Sequence, residues 1–333
     1  MSQDSNAEER QRETTVRTSS VDRPEKAGAE SPHLDESEKD QAAQHTAPHA
    51  LMLHEIVREE GEAALERTVI ALMWSSLAAG LSMGFSFLTT AVLQAGLPDT
   101  QWRHLVSSFG YTTGFVLVIM GRQQLFSEST LTVVLPVLTR RDLDCFLKAL
   151  RLWVVVLCCN VVSSWIFAAM LRLPGVFEAD IVDALDETSR GAIGPVDTFP
   201  TFMRAVFGGW LIALMVWLLP SARSARLLTV VLITWVVAVA KLSHIIAGST
   251  EVAYAVLAGD ASLADYFGRF LLPTLAGNIV GGMSLVALLN HAAIAPEISE
   301  RRCVPFMRRT PEYIGSDDVF SCECVLTHTA CCA

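Results

Sequence analysis

Residues 236–259 read VVAVAKLSHIIAGSTEVAYAVLAG, a run that would make one apolar helix were it not for Lys241, Ser243, His244 and the Gly-Ser-Thr-Glu of residues 248–251. The apolar part before the insert, Leu227 to Ala240, is about 15 residues long and reaches roughly 22 Å at 1.5 Å per residue. That is short of the roughly 30 Å hydrocarbon core of a bilayer. The apolar tail from Val252 to Ala258 adds about 10 to 12 Å, so the polar insert falls at membrane depth. Backbone that leaves the helix there must be buried in protein or line a water-filled cavity, because lipid satisfies no N–H or C=O group.

A second stretch has the same form. LVSSFGYTTGFVLVIMGRQQLFSESTLTVVLPVL, residues 105–138, is apolar to Met120, meets a polar insert, and resumes as an apolar tail. Four other runs are long enough to span without interruption: Thr68 to Gly96, Phe146 to Leu171, Phe202 to Leu219 and Phe270 to Leu289. The reading is an all-α membrane protein with six transmembrane helices, the second and fifth broken. The breaks occupy the same place in each set of three crossings, so the two three-helix halves lie in opposite orientation as inverted repeats.

Outside residues 68–291, the membrane-spanning part, the chain is polar. Residues 1–48 are rich in Ser, Glu, Asp, Gln and Ala and carry too little apolar surface to offset ordering entropy, which predicts a disordered acidic tail. Within residues 49–67, Leu53, Ile56, Val57, Ala63, Ala64 and Leu65 fall on one helical face, predicting an interfacial amphipathic helix. No basic segment followed by an apolar run begins the chain, so a cleaved leader is not expected. The formal net charge of −10 resides largely in this tail and in the loop between Leu173 and Pro200, so neither a basic partner nor nucleic acid is implied.

Arg140, Arg141, Lys148 and Arg151 follow the second span, Arg223 and Arg226 the fourth, and Arg301, Arg302, Arg308 and Arg309 the sixth. Six crossings put all of them on one side. The positive-inside rule makes that side, and both termini, cytoplasmic, in an inner (plasma) membrane. Residues 292–333 are then a cytoplasmic tail holding Cys303, Cys322, Cys324, His328, Cys331 and Cys332, at spacings that match no standard zinc site. No metal, cofactor or disulfide framework is expected.

The inserts LFSEST and IIAGST are alike. Ser127 or Ser129, and Ser249 or Thr250, are the expected N-caps of the short second halves, with Glu128 and Glu251 near the positive end of the helix dipole. Each insert also carries a base, Arg122 or Lys241. These either pair with the glutamates to hold the loops or ring the pore mouths and gather anions, and pairing is favoured because each insert holds one base and one acid. Arg204 opens the fourth span and either faces the outer vestibule or snorkels. Trp102, Trp153, Trp165, Trp210 and Trp217 read as interfacial anchors.

GRQQLFSEST in the second span, SHIIAGSTE in the fifth and AGNIVGG in the sixth resemble the formate/nitrite transporter family over about Ile70 to His291. The resemblance implies an aquaporin-like fold, a homopentamer with one pore per protomer, and passage of small monovalent anions or their acids. It assigns Leu125 and Phe126 to an apolar constriction, Ser127 to a hydroxyl beside it, His244 to the polar group facing mid-pore, and Asn278 to a hydrogen bond near that histidine. Gln124 and Ser243 stand where the family often has acids, and Arg122 and Lys241 add charge. The chain therefore resembles a divergent subgroup.

An anion stripped of water in an apolar constriction is costly, on the order of 2.5 to 3.5 kcal/mol even for a side chain by insertion scales. A site that gathers the anion and neutralises it lowers that barrier, so proton linkage through the histidine is one reading and a passive channel another. A membrane enzyme would need a nucleophile with its base or an HExxH metal set, and the spans hold neither. A scaffold or sensor with a closed channel fold, whose acidic tail recruits a partner, remains a rival. A water or glycerol pore lacks the Asn-Pro-Ala of aquaporin loops.

Overall fold

A computed structural model of the protein describes residues 50–288; the expectations for the tails at 1–48 and 292–333, including the C-terminal cysteines, lie outside the described residues. Helix α1 (Ala50–Leu65) leads into α2 (Val69–Gly96), which starts because the Thr68 hydroxyl accepts the Ala71 N–H. Then follow α3 (Arg103–Met120), α4 (Phe126–Thr132), α5 (Val134–Arg140) and α6 (Leu143–Leu171), the last capped by Asp142 through Cys145 N–H at 2.6 Å. The second half is α7 (Ala179–Ala192), α8 (Phe199–Ala222), α9 (Arg226–Val239) and α10 (Ile245–Ala258). A single turn, α11 (Leu263–Asp265), runs through a π-helical stretch (Tyr266–Leu271) into α12 (Leu272–Val280) and a second π-helical stretch (Gly281–Leu288).

Among the described residues every regular element is helical. Three helices, α2, α6 and α8, are long and apolar enough to cross a membrane; α9 and α10 are apolar but short. The chain leaves the helix between Met120 and Phe126 and again between Val239 and Ile245, where the sequence predicts the breaks. The sixth apolar run, expected from Phe270 as an ordinary span, instead begins at Leu263 and alternates α-helical turns with underwound π-helical ones.

α2 packs on α3 and α6, and α8 packs on α12, while α9 against α3 and α10 against α6 join the two halves. Two close approaches fix the helix pairs. A side chain at Gly80 of α2 would collide with the backbone of Asn160 and the hydroxyl of Ser163, and one at Gly209 of α8 would meet the backbone of Asn278. Small residues thus bring α6 and α12 within reach of the breaks.

α1 turns Leu53 and Val57 onto Leu131, Leu135, Val216 and Trp217, so its apolar face is covered by protein. Basic residues read from the sequence as topology markers clasp it: Arg140 holds Glu62 at 3.0 Å, Lys148 holds Glu66 at 3.1 Å, and Arg151 donates to the Leu65 carbonyl at 2.8 Å, while Arg58 of α1 itself also holds Glu62, at 2.7 Å. α7 was read only as part of an acidic loop. Its Ala184 and Leu185 are buried against α2 and α10 with Ile181 packed beside them, and the i, i+3, i+4 apolar spacing of these three is the signal that the loop reading missed.

Candidate functional site

Each broken helix stops in the same way. At the end of α3, Gln123 N–H donates to Val118 O (3.0 Å) and Arg122 N–H to Ile119 O (3.3 Å); at the end of α9, Leu242 N–H donates to Val237 O (2.9 Å) and Lys241 N–H to Ala238 O (3.0 Å). This is the Schellman pattern, which needs its C′ residue in the left-handed region. Arg122 (φ 49°) and Lys241 (φ 51°) occupy it, where glycine is usual. A cation there sits on the negative end of its own helix. The expected pairing of these bases with Glu128 and Glu251 is not found: among the described residues no ion pair involves any of the four. The favoured reading is corrected accordingly, since both side chains are exposed at the breaks.

The second halves start with help from other helices. Leu125 is the N-cap of α4 and offers no capping group. Phe126 N–H is taken instead by Asn160 Oδ1 of α6 at 3.0 Å, while Asn160 Nδ2 donates to Ser76 O (2.7 Å) and Gln124 O (3.2 Å). In the other half, Ile245 N–H is taken by Asn278 Oδ1 at 2.9 Å, and Asn278 Nδ2 donates to Ala205 O (2.8 Å) and Ser243 O (3.0 Å). Both amides are fully buried. Each ties a break to the long helix beside it and satisfies a carbonyl and an amide that lipid could not.

Asn160 was not read from the sequence as a site residue, although an asparagine in an apolar run is itself a signal. The expected N-caps are corrected too. Ser127 and Ser129 lie inside α4, and Ser249 and Thr250 inside α10. Ser129 Oγ donates to Leu125 O (3.0 Å) and accepts from Gln124 Nε2 (2.9 Å), whereas Ser249 Oγ accepts from the Tyr266 hydroxyl (3.1 Å).

His244 is the N-cap of α10. Its Nδ1 accepts the Ala247 N–H at 3.2 Å, and its Nε2 lies 2.7 Å from Ser127 Oγ. Because an acceptor nitrogen carries no proton, the network assigns the neutral tautomer with the hydrogen on Nε2, donating to Ser127. The ring meets Phe115 edge-on at 4.9 Å. Leu125 and Phe126 are buried beside α4's start, and Phe126 meets Trp153 edge-on at 6.1 Å. Trp153 also donates to Ser129 O at 3.1 Å, so this tryptophan braces the break and its reading as an interfacial anchor is replaced.

A cavity of about 430 Å³ leads to the histidine. His244 and Ser243 line it together with Ser107, Ser108 and Tyr111 of α3, Arg204 of α8, Lys241, and Gly248 and Glu251 of α10. Glu187 and Thr188 of α7 form part of its wall. The structure therefore gathers His244, Ser243, Arg204, Lys241 and Glu251 around one space. Leu125, Phe126, Ser127, Asn278, Arg122 and Glu128 do not line it, and of these only Ser127 bonds to the histidine. Among the described residues no group of His, Cys, Asp and Glu could hold a metal ion.

Comparison with known proteins returns one family. A model of the formate/nitrite transporter family matches residues 51–292. The inner membrane protein YfdC of Escherichia coli (strain K12) is 40% identical over 253 residues, which is 76% of this chain and 81% of that protein. A pentameric formate channel with formate bound matches with a TM-score of 0.59 at 20% identity, over 68% of this chain and 98% of its own. An FNT family ion channel matches with a TM-score of 0.57 at 20% identity, over 73% and 96%. At that identity the two structures share the fold.

Proposed function

Because this chain belongs to the formate/nitrite transporter family, we propose that it is a channel for small monovalent anions or their weak acids, with His244 as the polar group at the end of its vestibule. One observation carries the reading. The two helix breaks meet at the Ser127–His244 hydrogen bond, and the histidine also lines a cavity walled by Arg204 and Lys241. Two unpaired cations gather an anion, and the Nε2–H, shared with Ser127, offers it a hydrogen bond where water runs out. Leu125 and Phe126 then form the apolar barrier beyond.

The matching end geometries of α3 and α9, and the matching roles of Asn160 and Asn278, support six crossings arranged as two inverted repeats. α3 with α4–α5 makes the second crossing and α9 with α10 the fifth. Both termini are cytoplasmic in this arrangement, so the cavity opens outward. The formate channel that shares the fold is pentameric, and the exposed apolar face of α6, with Phe146, Leu150, Val154, Val162 and Ile166, suits lipid or neighbouring protomers. A homopentamer with one pore per protomer in the inner membrane follows.

Liposomes holding the purified protein test this directly. Uptake of formate, nitrite or a similar small anion above that of protein-free liposomes is expected, with no uptake of neutral solutes of like size. Retention of the small anions outside at every pH would end the proposal.

A further inference from the structure

The histidine at the end of the vestibule cannot readily hand a proton to a passing anion. Its Nδ1 faces the Ala247 N–H at 3.2 Å, so forming imidazolium there sets two N–H groups against each other and removes the cap of α10. Its Nε2–H can donate a hydrogen bond, but losing that proton would leave imidazolate. Neutralisation of the anion calls for another acid.

The cavity wall carries one that, among the described residues, no hydrogen bond or ion pair occupies. Glu251 stands seven residues beyond His244 on α10, two turns along and on the same face. It lines the same cavity. The other charged and titratable groups around that space are Asp99, Arg103, His104 and Tyr111 at α3, Glu187 on α7, Arg204 on α8, and Lys241 after α9; α2 contributes only Thr90 and Gln94 to it, and α6 nothing. Several are engaged: Arg103 with Gln94 O at 2.7 Å, His104 with Val239 O at 3.1 Å, and Glu187 with Gln94 at 2.7 Å.

Resting on the channel reading above, we propose that Glu251 is the proton-exchange group of the vestibule for anions of weak carboxylic acids. Arg204 and Lys241 gather the anion beside it. The O–H bond of the Glu251 carboxyl breaks as an O–H bond forms on the anion's oxygen, giving the neutral acid and a Glu251 carboxylate. The carboxylate then takes a proton from hydronium in the vestibule, so one anion and one proton enter together. Donor and acceptor are both carboxyl groups of similar intrinsic acidity, which makes the transfer close to balanced. Anions of strong acids, such as nitrate, cannot be neutralised this way.

Proteoliposomes with a formate gradient and an internal pH-sensitive dye, measured from pH 5 to 8 against protein-free liposomes, read both fluxes. Wild-type uptake of formate should rise toward acid with about one proton per anion, and nitrate should show no such rise. Glu251→Gln should lose the acid-stimulated limb, with uptake about tenfold lower where the wild type is fastest, while pentamer assembly is unchanged. Glu251→Met, read by the same criterion, covers failure of the amide variant to assemble. A neutral variant that keeps the wild-type pH profile and proton ratio overturns the assignment of Glu251 alone. A wild type that passes neither formate nor nitrite overturns the channel reading as well.

Discussion

Replacing Asn160 by alanine should loosen the first break without touching the cavity. The side chain makes three hydrogen bonds, accepting from Phe126 N–H and donating to the carbonyls of Ser76 and Gln124. Interhelical side-chain hydrogen bonds in membrane proteins average about 0.6 kcal/mol and reach about 1.7 kcal/mol. Three of them give roughly 2 to 5 kcal/mol. The upper part of that range is favoured, because the Phe126 N–H is left buried with no local substitute, Leu125 having no capping group. Asn160→Asp separates the contributions: it keeps the acceptor for Phe126 but turns two donated bonds into contacts between oxygens, so it should be no better than alanine.

Reversible unfolding of the purified protein by titration with sodium dodecyl sulfate in mixed micelles measures the difference, and anion uptake by liposomes reports the break itself. Both variants are expected to lose stability in the stated range and most of their uptake. A loss below about 1 kcal/mol for alanine, with uptake retained, would show that the 121–125 loop holds its shape alone and that the interhelical amide is incidental.

Three further outcomes are expected. His244→Leu should abolish or strongly alter anion uptake while leaving the pentamer assembled, and uptake unchanged across the pH range would count against the role given to the imidazole. Ser127→Ala removes the partner of the buried Nε2–H, at a cost of about 1 to 3 kcal/mol by the price of an orphaned donor, so a variant as stable as wild type in the same titration would contradict the Ser127–His244 hydrogen bond. Lys241→Gly relieves a left-handed non-glycine residue and should hold or raise stability by up to about 1 kcal/mol. It should also lower anion uptake from the outer side and its dependence on ionic strength, an effect Arg122→Gly should not show from that side because Arg122 does not line the cavity.

What the sequence made legible follows from the kind of constraint involved. Helix breaks at membrane depth announce themselves through length, because too few apolar residues precede the insert to cross a bilayer, and both fall where that counting puts them. Assigning partners within an insert from local chemistry failed. A serine two residues from a helix start is a good cap in water, and an acid near a base is a good ion pair, yet neither arrangement formed. Leu125 and His244 hold the cap positions, and the bases took the C′ positions of α3 and α9.

The reason is that a break inside a membrane is held from outside itself. A local cap can serve a helix end that water also reaches, since solvent satisfies whatever the side chain misses. Here every group left over must find protein. The solution at both breaks is an asparagine amide carried by a neighbouring helix, brought close because Gly80 or Gly209 lets that helix approach. No window of local sequence contains such a pairing, since Asn160 and Phe126 lie 34 positions apart and Asn278 and Ile245 lie 33 apart. It becomes visible only as a relation between distant stretches, Gly80 with Asn160 beside one break and Gly209 with Asn278 beside the other. With the amides securing the first N–H of α4 and of α10, the histidine's Nδ1 is left to satisfy the Ala247 N–H, and its Nε2–H to reach across to Ser127. The scaffold thus accounts for why a single imidazole can be both a structural cap and the polar group a permeating anion would meet.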